Sequence, residues 1–318
     1  MQVLGKFLLW LVAILIGVLI LVLAYINFAP VPSYPPPTIK ELKVEPDSTR
    51  ITQGKKIASM VCIQCHQGKD GKLSGKFLVD VPKVFGKIYS LNITKDPEVG
   101  IGKWTDGELT HFLRTGLRKD GSYAPPYMPK YPLMADEDLK SIVAWLRSED
   151  PLLEASQNEL AFTKITLFSK FLLRAVFKPF PIPEKEIIKP DTSDLVALGR
   201  YTANGVYSCF GCHSKDFSTN NDLVPELSKG YYSGGNPLLN LERETVVSSN
   251  ITMDPETGIG NYTEAEFMET LKTGKKKDGT MVRYPMLPHT ALSDPEVKGI
   301  YAFLHTVPVI KNLDLKNK

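Results

Sequence analysis

Spare cysteine is what this 318-residue chain lacks: it has four, and two short segments, residues 62–66 and 209–213, use them all. A disulfide framework elsewhere is therefore excluded, and so is lipid attachment through a cysteine near residue 25. Charge of one sign is scarce as well: 38 Lys and Arg against 35 Asp and Glu leave +3. That balance, with no basic run interleaved with aromatics, argues against nucleic acid as a partner. Convincing apolar–polar alternation is missing too, so nothing reads clearly as a strand. The 43% of hydrophobic residues is ordinary for a globular protein, and the length allows about two domains.

What is there begins with the cysteines. Cys62-Ile63-Gln64-Cys65-His66 and Cys209-Phe210-Gly211-Cys212-His213 are two copies of C-x-x-C-H. The spacing suits covalent haem c: two thiols add across the two vinyl groups of one porphyrin, and the adjacent histidine takes one axial position on the iron. A pair of small disulfides, a thioredoxin-like redox pair or one zinc site would not require a histidine directly after both pairs. Two covalently bound haem c groups are expected.

Phe7 to Ile26 is an uninterrupted apolar run, long enough to cross a bilayer core of roughly 30 Å. Trp10 and Tyr25 sit near its ends, where aromatic belts belong. A cleaved signal peptide is the rival, but its apolar region is usually shorter, about 7–15 residues. Val22-Leu23-Ala24, which resembles a cleavage site, lies inside the run. Because haem c is attached outside the cytoplasm in bacteria, both motifs are expected on the periplasmic side of the inner membrane, behind a single-pass anchor.

An internal repeat organises the rest. Asn92-Ile93-Thr94, Asp96-Pro97-Glu98, Gly100-Ile101-Gly102, Gly116 and Asp120-Gly121 recur as Asn250-Ile251-Thr252, Asp254-Pro255-Glu256, Gly258-Ile259-Gly260, Gly274 and Asp278-Gly279, always 158 residues later. His66 and His213 are 147 apart, so the second copy carries eleven extra residues between its motif and Asn250. Gly234-Gly235 is a plausible turn within that longer loop. Thr105-x-x-Glu108, Thr263-x-x-Glu266 and Ser293-x-x-Glu296 read as capping boxes. Leu139, Ile142, Val143 and Leu146, with Val297, Ile300, Tyr301 and Leu304, give apolar stripes at helical spacing. Short helices are expected over 54–60 and 198–206. The fold class is all-α: two tandem cytochrome c-type haem domains behind an N-terminal transmembrane helix. The expected boundaries are 1–27 anchor, 28–46 Pro-rich spacer, 47–150 first domain, 151–191 connector and 192–318 second domain.

The sixth iron ligand separates a carrier from an enzyme. Met128 and Met286 keep the repeat offset and sit in proline-rich loops, whereas Met134, Met253, Met268 and Met281 have no methionine counterpart. Met128 and Met286 are the expected axial partners of His66 and His213, which would raise the potential and close the iron. His289, three residues beyond Met286, is a secondary candidate whose counterpart is Tyr131. Asp96/Glu98 and Asp254/Glu256 read as Asp-Pro turns rather than calcium ligands. The Asn-Ile-Thr triplets match a glycosylation acceptor but, as part of the repeat, are expected to serve the haem-side loop. In the connector, Lys170, Arg174 and Lys178 recur among apolar residues; solvated basic residues on a packed connector are favoured over a membrane-surface helix.

From about Asp47 onward, Cys62-x-x-Cys65-His66, Asn92-Ile93-Thr94-x-Asp96, Gly100-Ile101-Gly102-x-Trp104-Thr105, Met128-Pro129 and Asp136-Glu137-Asp138-Leu139 resemble the di-haem and multi-haem cytochrome c subunits of bacterial periplasmic alcohol and gluconate dehydrogenases. Those subunits commonly carry three haem motifs, and this chain has two. The resemblance implies haem held by Cys62, Cys65, Cys209 and Cys212, and iron ligated by His66, Met128, His213 and Met286. It also implies electrons passing from a catalytic partner towards quinone or an oxidase. The expected function is a membrane-tethered carrier of single electrons, not itself an enzyme. Its redox partners would be a dehydrogenase, a quinol-oxidising complex or a terminal oxidase. The alternatives are a subunit inside a dehydrogenase complex, or a peroxidase-type haem enzyme with one open iron.

Overall fold

In the computed structural model, which describes residues 2–158, 160–161 and 163–314, a long apolar helix leads into a mostly helical body. The last four residues of the expected second domain, 315–318, lie outside the described residues. Helix α1 (Gln2–Phe28) is long and apolar enough to cross a membrane, and its residues from Val3 to Leu23 are exposed.

The first unit is built by α2 (Ser48–Val61), α3 (Ile63–His66), α4 (Asp106–Thr115) and α5 (Asp136–Leu146). Asp47 caps α2 by accepting from the Arg50 amide. The predicted capping box of α4 is present, with Thr105 and Glu108 bonding reciprocally, and the helix stops at Gly116 in the left-handed region. Helix α5 packs its apolar stripe across α2, burying Leu139, Ile142, Val143 and Trp145 completely. Gly54 makes that crossing possible, since a Cβ there would lie 1.9 Å from the Ser141 carbonyl oxygen.

The Pro-rich segment does not stand off from this unit. Ser33 pairs with Ser122, the Tyr34 amide donates to the Gly121 carbonyl (2.8 Å), and the Val44 amide donates to Asp106 Oδ2 (2.9 Å). Val44 is buried in the first core. Proline removes donors but leaves carbonyls and extended backbone, which suit a strap along a surface.

The connector also folds back. Against the expectation of no strands, β1 (Gly86–Lys87) pairs antiparallel with β2 (Lys164–Ile165). Helix α6 (Leu167–Ala175), capped by Thr166, then buries Ser169 and Leu173 against Leu117 and Tyr123.

The second unit repeats the plan with α7 (Leu195–Arg200), α8 (Cys209–His213), α9 (Glu264–Thr273) and α10 (Asp294–Leu304). Its capping boxes at Thr263/Glu266 and Ser293/Glu296 are present. A π-helical turn at Tyr201–Val206 continues α7. The α7–α10 crossing again rests on small residues, a Cβ at Gly199 falling 1.8 Å from the Gly299 carbonyl oxygen. A second hairpin joins β3 (Pro237–Leu239) to β4 (Thr245–Val247). The Gly75 amide donates to the His66 carbonyl and the Gly234 amide to the His213 carbonyl, so Gly234 is the counterpart of Gly75. The extra residues therefore fall before Gly234, within 214–233, rather than around it.

Candidate haem-attachment sites

Each motif is wound into one turn of helix. In the first, the amides of Cys65 and His66 both donate to the Cys62 carbonyl (3.2 and 3.0 Å). Residues three and four apart share a helix face, so both thiols and the imidazole address the same side. All four thiols are free. Burial pushes the Cys62 and Cys209 thiols up to about 12 and Cys212 to about 11, and raises Cys65 as well.

The histidines show what the local fold is for. His66 Nδ1 lies 2.7 Å from the Leu91 carbonyl oxygen, and His213 Nδ1 lies 2.8 Å from the Ser249 carbonyl oxygen. A carbonyl only accepts, so Nδ1 carries the proton and Nε2 presents a lone pair. Burial lowers the pKa of both imidazoles, against the opposing pull of the carbonyls, and keeps them neutral. Leu91 and Ser249 immediately precede the two Asn-Ile-Thr triplets. Asn92 Oδ1 accepts from the amide and hydroxyl of Thr94 (2.9 and 2.7 Å), and Asn250 Oδ1 does the same with Thr252 (2.9 and 2.8 Å). Their amide groups donate to the carbonyls of Ser156 and Ile310, both 2.7 Å away. At 7% and 2% exposure neither asparagine is open to a glycan. The triplets hold the carbonyl that orients the imidazole.

Asp96 and Asp254 likewise act as turn formers. Asp96 accepts from the amides of Glu98 and Val99, and Asp254 from those of Glu256 and Thr257. Met128 and Met286 are both half-buried at equivalent tight turns, their amides donating to the carbonyls of Pro125 (3.1 Å) and Arg283 (3.0 Å). Met128 packs on the core that includes Cys62 and Tyr131. Tyr131 and His289 are structural counterparts, their amides donating to the carbonyls of Leu113 and Leu271. Tyr131 lies against the first cysteine pair, and His289 stands edge-on to Tyr207 and near enough for its charge to depress His213.

The two units also meet close to the motifs. The charge of Asp80 reaches both Cys65 and Cys212, and Asp80 Oδ2 accepts from the Tyr284 hydroxyl at 2.7 Å. Tyr284 is two residues before Met286. Arg243, at the tip of the β3–β4 hairpin, donates to the carbonyls of Val79 (2.5 Å) and Val81 (3.1 Å) on either side of Asp80. Elsewhere across the same interface, Lys56 pairs with Glu296 (2.5 Å), and the Tyr201 hydroxyl bonds Asp138 (2.5 Å) while accepting from the Ala135 amide (3.0 Å). Sequence reasoning missed Asp80, Tyr201, Arg243 and Tyr284, none of which keeps its type in the other copy.

Two thiols and a neutral imidazole on one helix face, with Nε2 free and Nδ1 tied to a carbonyl, are a donor set that fits covalent haem c. It is the donor set that a c-type cytochrome needs. Residues 49–146 match the family described as cytochrome C oxidase, cbb3-type, subunit III, and form a cytochrome c domain. The chain is similar to the cytochrome c subunit of alcohol dehydrogenase (quinone) from Gluconobacter oxydans, 29% identical over 84% of this chain and 57% of the relative. It is 30% identical to the fructose dehydrogenase cytochrome subunit of Gluconobacter japonicus, over 78% of this chain and 50% of the relative. A di-haem cytochrome c-type protein of Cereibacter sphaeroides is 26% identical over 79% of this chain and 83% of its own length. The chain spans about half the length of the dehydrogenase cytochrome subunits that it matches.

Proposed function

We propose that the chain is a membrane-tethered c-type cytochrome that passes single electrons through two haem sites in series. The observation that carries this reading is the imidazole–carbonyl bond made at the same repeat position in both copies. Cys62, Cys65 and His66 would hold one haem c, and Cys209, Cys212 and His213 the other, in domains spanning 47–150 and 192–318. Bound haem supplies one-electron chemistry at iron. The chain binds the group through its thiols and keeps the two proximal imidazoles neutral and oriented. Met128 and Met286 are the proposed sixth ligands, their conserved turn geometry in both copies supporting a shared role. No substrate chemistry is assigned to the chain itself.

Helix α1, with its unpartnered apolar surface, would be a single-pass inner-membrane anchor leaving both haem units in the periplasm. The redox partners would be a dehydrogenase, a quinol-oxidising complex or a terminal oxidase. Similarity to the alcohol and fructose dehydrogenase cytochrome subunits favours a dehydrogenase as donor, and a place inside such a complex is the second reading. The deciding experiment is the visible spectrum of the reduced protein with and without carbon monoxide, scaled to measured haem per chain. Two haems with no carbon monoxide shift support a closed relay. One haem per chain, or a shift in either haem, overturns it, the latter in favour of an open iron.

A further inference from the structure

Helix α6 and the end of α1 are joined by contacts that neither segment's sequence announces. Lys170 donates to the Asn27 carbonyl, and Arg174 donates to the carbonyls of Ala29 and Pro30, both at 2.8 Å. The Arg174 guanidinium also lies over the Tyr25 ring at 5.8 Å. A helix leaves its last carbonyls without intrahelical partners and carries partial negative charge at that end. Two cations therefore staple α6 to the exit of α1, and they are neither simply solvated nor free for lipid.

The staple fixes which way α6 faces. Ser169 and Leu173 point inward, where they line a small cavity with Pro125, Pro126 and Tyr127 of the Met128 loop. One helical face away, Leu167, Phe168 and Phe171 are 38%, 44% and 45% exposed. Phe168 stacks beside Phe85 (5.9 Å), and the neighbouring Val84 is 51% exposed. Thr166 and Ser169 hold that segment by donating to the carbonyls of Val84 and Phe85. The result is an exposed apolar patch on α6, and Tyr25 and Phe28 at the end of α1 are exposed as well.

We propose that this patch is an interfacial membrane-binding surface, occupied by the headgroup–acyl boundary of the same bilayer that α1 crosses. Phe168 and Phe171 enter the lipid while the opposite face of α6 carries the loop of Met128. Aromatic side chains at the membrane boundary beside a spanning helix are favoured by burial of their rings. The strap of residues 33–44 along the first unit leaves no slack for that unit to stand away. The first haem site is thereby held against the bilayer in one orientation, and the second lies beyond it. This inference rests on the reading of α1 as an anchor.

The test uses the full chain in nanodiscs of phosphatidylethanolamine and phosphatidylglycerol, doped with a phospholipid carrying a diazirine near the top of its acyl chain. After photolysis, adducts are mapped by mass spectrometry. Adducts on both α1 and α6 are expected, and Phe168→Ser with Phe171→Ser should abolish those on α6 while α1 labelling and the haem spectrum stay unchanged. Adducts confined to α1, or α6 adducts that survive the double substitution, overturn the inference and leave the anchor reading standing. Labelling of neither segment overturns both.

Discussion

At the scale of the residue, the imidazoles of His66 and His213 are each held in one tautomer. Burial keeps them neutral, and a backbone carbonyl sets the tautomer. Thioether ligation by Met128 or Met286 would raise the iron potential. Met128→Ala and Met286→Ala are each expected to lower the potential of one haem, by a fraction of the roughly 0.8 V range that axial ligands command. The same substitutions should make that haem bind carbon monoxide, leaving both thioethers intact. Spectroelectrochemical titration with denaturing mass analysis checks this; unchanged potentials would remove both methionines from the iron. The cysteines and histidines stand out as candidates from spacing alone. Leu91 and Ser249 do not, because a carbonyl donates its service from any side chain, and only the neighbouring Asn-Ile-Thr triplets marked the place.

At the scale of the element, each unit depends on one close helix crossing. Overpacking a buried contact typically costs about 1–3 kcal/mol and more where backbone is the obstacle. Gly54→Ala drives a Cβ towards the Ser141 carbonyl oxygen, a backbone atom that cannot swing away. A loss of about 3 kcal/mol is expected in denaturant unfolding followed by the Soret band. Little change would show that α2 and α5 slide past each other freely. Capping boxes and apolar stripes announced α4, α5, α9 and α10 in the sequence, because those signals are local. The crossings were hidden, since Gly54 and Ser141 are distant in the chain and their counterparts are Gly199 and Gly299. The length of α2 and the π-helical turn after α7 were likewise settled by packing against α5 and α10.

At the scale of the whole molecule, the two units are joined by hydrogen bonds and an ion pair between distant residues. The Asp80 carboxylate acts on both Cys65 and Cys212, so its negative charge would stabilise the more positive, oxidised iron at both sites. Asp80→Asn is expected to raise both potentials together, read in one redox titration; a shift in a single haem would refute the shared position. The Lys56–Glu296 pair makes the docking pH-dependent. Burial alone would raise the Glu296 carboxyl, but bonds from Lys56 and Ser293 outweigh it and hold the group below the ordinary range. A depressed carboxyl contributes stability above its unfolded pKa of about 4.3 and loses it as pH falls through the folded value. Thermal stability is therefore expected to fall as pH drops below about 4, and Glu296→Gln should flatten that part of the profile. An identical acid limb in the variant would assign the loss to other carboxylates.

The sequence by itself determined the two C-x-x-C-H motifs and the repeat around them. Two thiols and a histidine within five residues can be read without a fold, and a constant offset of 158 pairs the loops. Local signals also determined where the principal helices begin. The tertiary structure decided everything that depends on residues far apart in the chain: which carbonyl meets each imidazole, Asp80 against Tyr284, the Pro-rich strap on the first unit, and α6 on the exit of α1. The physical reason is the same throughout. Spacing records what neighbours along a helix or loop can reach, whereas a backbone acceptor or a distant carboxylate has no pattern until packing brings it into contact.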